Sequence, residues 1–196
     1  MKENLHRMME QVLLHVEKEK PPVVVLDGMC GSGKTTLAKA LVAEMQCPLI
    51  QMDDFFLPYE MRTEERLKMP GGNVHFERFG KEVLPFIGKK EGFTYRRFSC
   101  SDGTFSPAFC PASNVRIVEG SYSLHPHFQA AWQGMGALTV FLSVGEGEQL
   151  RRLSRRNPAL LERFQSAWIP MENQYFAVYK IREKADLCLH SPEREE

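Results

Sequence analysis

Apolar residues occur in this chain in two patterns. Five short runs, at 23–26, 48–52, 115–118, 137–144 and 185–189, are almost continuous and are bounded by turn residues. Such runs are typical of strands that are buried on both faces of a sheet. Five longer segments, at 5–16, 34–46, 78–87, 146–156 and 161–184, are predicted to be helical, several of them because apolar residues recur every three or four positions. The last helix is expected to break near Pro170.

The alternation of strands and helices predicts an α/β fold with a mostly parallel five-stranded sheet. We expect one domain over residues 1–196, with an N-terminal helix within 1–20. Residues 55–113 interrupt the alternation with many prolines and glycines, and they are predicted to contain a β-hairpin, 93–98 and 104–109, around Asp102-Gly103. Because a long irregular stretch inside a compact fold is usually functional, this insertion is expected to bind an acceptor substrate.

Composition excludes several classes of protein. Of the 196 residues, 43% are hydrophobic and 26% are charged, which is typical of a globular domain and not of a disordered or collagenous chain. Lys plus Arg and Asp plus Glu both number 25, and this balance disfavours a dedicated nucleic-acid binder. The longest apolar segment, 135–144, has half the length that a membrane-spanning helix needs. Charged residues near the N-terminus interrupt the apolar region that a signal peptide would require. A cytoplasmic protein with five free cysteines and no membrane partner is expected.

A glycine-rich segment follows the first predicted strand. It reads Gly28-Met29-Cys30-Gly31-Ser32-Gly33-Lys34-Thr35 and matches G-x-x-x-x-G-K-[ST] at every fixed position. The glycines let backbone N–H groups approach phosphate oxygens, and the helix that starts near Lys34 directs its positive end at the same anion. Lys34 can then contact the β- and γ-phosphates, and Thr35 can bind Mg²⁺. Cys30 is interpreted as a bystander in this loop, the alternative being a thiol whose pKa is lowered by the helix N-terminus.

Three further features suit a small-molecule kinase. The guanine-reading Asn-Lys-x-Asp segment of GTPases and the Asp-Glu pair of motor ATPases are both missing from the sequence. Asp53-Asp54 and Glu119 follow two predicted strands, where ligands gather in parallel sheets, and a carboxylate there can take the proton of an attacking hydroxyl. The segment 151–156 contains four arginines, which suit a lid over a triphosphate. A capping aspartate, a surface glutamate and a solvated helix face are the alternatives that these residues leave open.

These motifs, in this order, resemble the uridine kinase and phosphoribulokinase-type P-loop kinases, a group that includes bacterial pantothenate kinase. The resemblance covers about residues 21–190. The matching pieces are Asp27-Gly28 to Thr36, Gln51-Met52-Asp53-Asp54-Phe55-Phe56, Gly72 to Phe79, Val118-Glu119-Gly120, Arg152-Leu153-Ser154-Arg155-Arg156 and the closing stretch from Ile169-Pro170-Met171-Glu172 through Ala185-Asp186. It implies a three-layer P-loop fold like that of nucleoside kinases, an acceptor-binding insertion and an arginine lid over 146–168.

The resemblance also implies roles for single residues. Catalysis is assigned to Lys34, Asp53, Arg152 and Arg155. ATP binding is assigned to Gly28, Met29, Cys30, Gly31, Ser32, Gly33, Lys34, Thr35, Thr36 and Arg156. Acceptor binding is assigned to Asp54, Phe56, His75, Glu77, Arg96, Glu119, Tyr122 and Arg152, and Mg²⁺ binding to Thr35, Asp53 and Glu119. The cofactors implied are ATP and Mg²⁺, and a homodimer is a further expectation.

The acceptor segments depart from the uridine kinase pattern. Its His-Pro-Asp-Ala-Phe reads His75-Phe76-Glu77-Arg78-Phe79 here. In Tyr95-Arg96-Arg97-Phe98-Ser99, the proline of the related Tyr-Arg-Pro-Tyr-Asp has become Arg97 and its aspartate has become Ser99. We therefore expect phosphate transfer from ATP to a hydroxyl of a small polar acceptor, with a nucleoside first. The alternatives are pantothenate, a phosphosugar or another metabolite, and a nucleotide-dependent regulator with little catalysis. His125-Pro126-His127 is interpreted as a turn with packing roles, a metal pair being the alternative.

Overall fold

The computed structural model describes residues 2–192. Seven strands are found there: β1 (Val23–Gly28), β2 (Leu49–Gln51), β3 (Phe93–Phe98), β4 (Phe105–Cys110), β5 (Arg116–Glu119), β6 (Leu138–Val144) and β7 (Leu187–Ser191). The α-helices of the same residues are α1 (Lys2–Glu19), α2 (Lys34–Met45), α3 (Glu64–Lys68), α4 (Phe76–Glu82), α5 (Leu84–Ile87), α6 (Pro126–Gly134), α7 (Glu146–Arg156), α8 (Leu161–Arg163), α9 (Ile169–Tyr179) and α10 (Ile181–Lys184).

Five of the strands form the central sheet, in the order β2-β5-β1-β6-β7. Every pair in this sheet is parallel, with Val24 opposite both Ile117 and Leu138. The predicted five-stranded parallel sheet is therefore confirmed. Since β1 lies at its centre and is buried along its whole length, the loop that follows β1 emerges in the middle of the carboxyl edge. That position sets the site described below.

Helices cover both faces of the sheet. Alternate residues of β1 point to opposite faces: Val24 and Leu26 pack with Leu37 of α2 and with α1, whereas Val23 and Val25 pack with Phe79 and the helices of the other layer. Each face therefore buries its own apolar cluster, and the fold is the expected α/β/α type. No helix between residues 2 and 192 is long and apolar enough to cross a membrane.

The segment between β2 and β5 contains the predicted hairpin. Strands β3 and β4 are antiparallel, with Phe93 opposite Cys110 and Phe98 opposite Phe105. The ring of Tyr95 stacks on Phe55 at 5.6 Å between centroids, and Phe55 meets Phe79 at 4.9 Å. The aromatic rings therefore join the hairpin to the core beneath the end of β2.

Several predicted boundaries were wrong, and the reasons are local. The helix expected at 78–87 is two helices, because Pro85 has no N–H to continue the ladder of α4. Pro170 does not break the last helix: it lies in the first turn of α9, after a π-helical turn at Phe164–Trp168, and the chain bends instead at Lys180, which has a φ of 52°. The final strand lies at 187–191 rather than 185–189.

Helix α6 was missing from the predicted elements. His125 caps its N-terminus, because the ring Nδ1 accepts from the backbone N–H of His127 at 3.2 Å, and Pro126 occupies a position where no N–H is needed. The His-x-His segment is therefore a helix start. His125 is buried, which lowers the pKa of its imidazole to about 4.

Candidate active site

A large cleft opens along the carboxyl edge of the sheet. Its volume is about 1960 Å³. Its walls come from the loop after β1, the turn after β2, the end of β5, helix α7 and the N-terminal turns of α1. Predicted site residues on this wall are Cys30, Gly31, Ser32, Gly33, Lys34, Thr35, Thr36, Asp53, Asp54, Phe56, Glu119, Tyr122, Arg152, Arg155 and Arg156. These residues lie close together because all strands of the parallel sheet end on this side.

The glycine-rich loop follows β1 closely beside β6. A Cβ on Gly28 would lie 2.0 Å from the carbonyl oxygen of Leu142, and the φ of Gly28 is +137°, so only glycine fits there. The Nζ of Lys34 donates to the carbonyl oxygens of Gly28 at 2.6 Å and of Met29 at 2.9 Å. Folding of the loop thus places the Lys34 ammonium inside its curve.

The loop presents groups that suit an anion. The N-terminus of α2 lies on the cleft and, within residues 2–192, no side chain caps it. The hydroxyl oxygen of Ser32 is buried and has no hydrogen-bond partner in that same part of the chain. Uncapped N–H groups and a buried hydroxyl at the start of a helix are what a phosphate group would satisfy.

Two helices hold the outer side of this loop. The backbone N–H of Cys30 donates to Glu172 of α9 at 2.7 Å, and the side chain of Gln149 donates to the Cys30 carbonyl oxygen at 2.8 Å. Glu172 also accepts from the Ser121 hydroxyl at 2.6 Å and is buried. None of these three side chains was predicted, because they lie far from the loop in sequence.

Burial, followed by the charge of Glu172, raises the pKa of the Cys30 thiol to about 12. The alternative of a lowered thiol pKa is therefore not found, and the interpretation of Cys30 as a bystander stays a prediction. The helix N-terminus is present, but the neighbouring carboxylate and the loss of water outweigh it.

The guanidinium of Arg152 donates hydrogen bonds to backbone carbonyl oxygens of the loop. Its Nη1 donates to Gly31 at 3.1 Å and to Ser32 at 3.2 Å, and its Nε donates to Glu148 at 2.6 Å. The same guanidinium donates to the Pro192 carbonyl oxygen at 3.1 Å. Arg152 thus bridges the loop to the end of β7, and its predicted contact with a transferred phosphoryl group stays a prediction.

Other arginines form a basic wall on α7 and beyond. Arg155, Arg156 and Arg163 are exposed and line the cleft. Arg151 is paired with Glu148 at 2.5 Å. The wall therefore carries at least three cations whose guanidinium groups reach solvent in the cleft.

Three oxygen-bearing side chains suit a divalent cation. The Thr35 hydroxyl lies 3.1 Å from a carboxylate oxygen of Glu119, and Gln51 donates to the same oxygen at 3.2 Å. Asp53 lies in the short turn after β2, where partial loss of water and then the charge of Glu119 raise the pKa of its carboxyl group. Two neighbouring carboxylates beside a hydroxyl match the oxygen ligands that Mg²⁺ prefers, so the residues fit this ion.

Asp54 faces the insertion. Its carboxylate accepts from the Tyr95 hydroxyl at 3.1 Å and pairs with Arg97 at 3.3 Å. These two partners belong to the segment that departs from the uridine kinase pattern. Phe56, Asn73 and Tyr122 lie on the cleft wall near this end.

Three predicted acceptor residues are not brought to the cleft wall. Glu77 is 42% exposed at its side chain and pairs with Arg66 at 2.7 Å, and His75 contacts the same carboxylate at 3.1 Å. Arg96 is exposed and pairs with Glu82. Glu77 is thus engaged with Arg66 and His75, and Arg96 with Glu82, away from the cleft wall. Acceptor binding by these residues stays a prediction without a contact to support it.

A buried aspartate supports the loop from below. Asp27 accepts from the backbone N–H of Gly28 at 2.6 Å and of Tyr122 at 3.1 Å, and from the Tyr175 hydroxyl at 2.8 Å. Its burial raises the pKa of the carboxyl group to about 6. The sequence signal for this role was an acidic residue directly after the apolar run 23–26 and before Gly28.

Solved structures of other proteins share the fold of this chain. One described as a possible uridine kinase from Bacillus stearothermophilus superposes with a TM-score of 0.69 at 17% identity, over 96% of this chain and 98% of that one. A candidate fructose transport system kinase from Silicibacter sp. TM1040 superposes with a TM-score of 0.65 at 25% identity, over 94% and 98%. The chain has the fold of the uridine kinase-like P-loop kinases. The predicted resemblance is thereby confirmed at the level of the fold.

Comparison of sequences matches a smaller part of the chain than comparison of structures. No family model matches the chain. A shikimate kinase from Bacteroides fragilis is 34% identical over 68 residues, which are 35% of this chain. The chain spans only 38% of the length of that curated relative. These similarities support a P-loop kinase in general and do not select its acceptor.

Proposed function

We propose that the protein is an ATP- and Mg²⁺-dependent kinase that transfers the γ-phosphoryl group to a hydroxyl of a neutral, nucleoside-like acceptor. The observation that carries the proposal is the glycine-rich loop with Lys34 in its curve, facing Asp53 and Glu119 across one cleft. Loop, lysine, hydroxyl and carboxylates are the parts that phosphoryl transfer requires.

Residues at different places in the cleft have different proposed roles. Lys34, the loop N–H groups and the exposed Arg155 and Arg156 of α7 would hold the phosphates, and Thr35, Asp53 and Glu119 would hold Mg²⁺. The bound ion supplies positive charge that offsets the charge of the phosphates. Asp53 would orient the acceptor hydroxyl and take its proton.

Charge at the acceptor end supports a neutral acceptor. Asp53, Glu119 and Glu172 all lie on the cleft wall there. The nearby Arg97 is paired with Asp54, and Arg62 donates to the carbonyl oxygen of Leu57. With Mg²⁺ held by Asp53 and Glu119, the charges left at this end among the described residues are those of Glu172 and Arg62. One cation beside one carboxylate does not form a cationic pocket for a carboxylate or phosphate, which favours a neutral acceptor over pantothenate and phosphosugars. A neutral sugar is the second candidate, favoured by the 25% identical structure described as a fructose transport system kinase.

The test is acceptor-dependent ATP consumption with Mg²⁺. The panel contains nucleosides, neutral sugars and, as anionic counterparts, pantothenate and phosphosugars. We expect turnover with a neutral member, and turnover with an anionic member alone would refute the charge argument. ATP binding without turnover of any acceptor would favour the nucleotide-dependent regulator.

Two variants test the assigned roles. Asp53→Asn should lower turnover by about 10²–10⁴-fold with little change in ATP affinity, and Lys34→Ala should weaken ATP binding. Asp102→Asn, at the exposed turn of the hairpin, is the matched control and should leave both unchanged. Full activity in Asp53→Asn would show that another group positions the hydroxyl.

A further inference from the structure

Helix α1 runs between the side of the sheet where the strands begin and the side where they end. Its last residue, Glu19, lines a smaller cavity with Thr139 and Asp186, which lie at the starts of β6 and β7. Its first turns line the main cleft together with Ser191 and Pro192, at the end of β7. The N-terminal turns of α1 are therefore part of the cleft wall.

These turns are anchored in the core. Met8 is 9% exposed and Val12 is fully buried, and both belong to the apolar cluster that contains Leu37 of α2 and Leu189 of β7. Leu5 packs against the same cluster and is half-buried. Because α2 starts at the phosphate loop and β7 ends at the cleft, this packing sets the distance between α1 and the loop.

The sheet order gives the cleft a direction. Asp53 follows β2 at one edge, the phosphate loop follows β1 in the middle, and β7 lies at the other edge. Arg152 continues the wall beyond the loop, since one guanidinium contacts both Gly31 and Pro192. A nucleotide whose terminal phosphate faces Asp53 must extend its sugar and base towards Pro192 and α1.

We propose that the first turns of α1 form the outer wall of a subsite for the nucleobase of the phosphate donor. Leu5, Met8 and Pro192 offer apolar surface to a flat heterocycle, and the guanidinium plane of Arg152 can stack on it. The amide of Asn4 is both donor and acceptor and can hydrogen-bond the edge of a purine. The inference rests on the proposed function, because it concerns the donor of the same reaction.

The test compares a donor that has a base with one that has none. Dissociation constants are measured by calorimetry for ATP and for inorganic tripolyphosphate, with Mg²⁺, in Asn4→Ala and Leu5→Ser. Each variant should weaken ATP binding about three- to tenfold, the effect of one hydrogen bond or apolar contact, and leave tripolyphosphate binding unchanged. Leu14→Ser is the control, since Leu14 is 64% exposed on the same helix, about 13 Å further along.

The possible outcomes distinguish a failure of the proposed subsite from a failure of the proposed function. Unchanged ATP affinity in both variants would overturn the subsite, and so would equal weakening of ATP and tripolyphosphate, which would indicate a disturbed loop. Asn4 is only half-buried, so Asn4→Ala keeps the test available if Leu5→Ser unfolds the protein. Failure of the wild-type protein to bind either donor would refute the proposed function, and the subsite with it.

Discussion

Replacement of Glu172 tests how the phosphate loop is held. The carboxylate accepts from the Cys30 N–H at 2.7 Å and from the Ser121 hydroxyl at 2.6 Å, and it is 6% exposed. Glu172→Ala removes both bonds and leaves the Cys30 N–H without its partner. The same change removes a negative charge beside the loop.

The size of the effect follows from these two contacts. A hydrogen bond to a charged group contributes about 1.5–3 kcal/mol, and the Ser121 hydroxyl can turn to water in the cleft. We therefore expect Glu172→Ala to lower the free energy of unfolding by about 2–4 kcal/mol. In a chain of this size that corresponds to a decrease in Tm of roughly 5–15 °C.

Glu172→Gln is the matched control. Its amide oxygen can still accept from the Cys30 N–H, and its amide N–H can donate to the Ser121 hydroxyl, because a hydroxyl both donates and accepts. Its unfolding free energy should lie within about 1 kcal/mol of the wild-type value. Since this variant loses only the charge, its affinity for tripolyphosphate should be equal to or higher than that of wild type, whereas Glu172→Ala should bind more weakly.

Thermal and denaturant unfolding measure stability, and calorimetry measures affinity. A melting temperature of Glu172→Ala close to that of wild type would refute the reasoning, because the loop would then be held by other contacts. An equal decrease in both variants would show that the charge of Glu172, and not its hydrogen bonds, stabilises the loop.

Three further predictions concern the loop, the base and the insertion. Gly28→Ala should destabilise the protein by about 3 kcal/mol or more, measured by denaturant unfolding, because the new Cβ meets the Leu142 carbonyl oxygen; a stable variant would contradict the loop geometry. In the absence of Mg²⁺, the carboxyl group of Asp53, followed by NMR, should titrate above the usual carboxyl pKa, and Arg156→Gln should raise this pKa further, because the positive charge of Arg156 lowers the pKa of Asp53; a pKa that falls in this variant would contradict the placement of Arg156 near Asp53. Glu77→Gln should change the acceptor KM less than twofold and cost about 1 kcal/mol or less of stability, since the ion pair with Arg66 lies outside the cleft; a large rise in KM would place Glu77 in the acceptor site after all.

The local signals in the sequence were sufficient for the sheet and the loop. The three inner strands β1, β5 and β6 are fully or mostly buried, as strands covered on both faces must be, and the edge strands β2 and β7 are partly buried. The loop motif depends on backbone conformation at glycines, which is a property of a short segment. The prolines led to wrong predictions, because the sequence pattern does not distinguish a proline that begins a helix from one that breaks it. Pro126 and Pro170 each lie in the first turn of a helix.

By itself, the sequence determined the parallel sheet, the phosphate loop and the meeting of Asp53 and Glu119 at one edge, since strand ends of a parallel sheet share a side. Only the tertiary structure decided what surrounds them. Glu172 reaches Cys30 across 142 positions, and Arg152 reaches Gly31 across 121. His75 and Glu77 turn towards Arg66 and away from the cleft. Such contacts depend on how helices pack on the sheet, and helix packing is set by side chains that are distant in sequence and adjacent only in the folded chain.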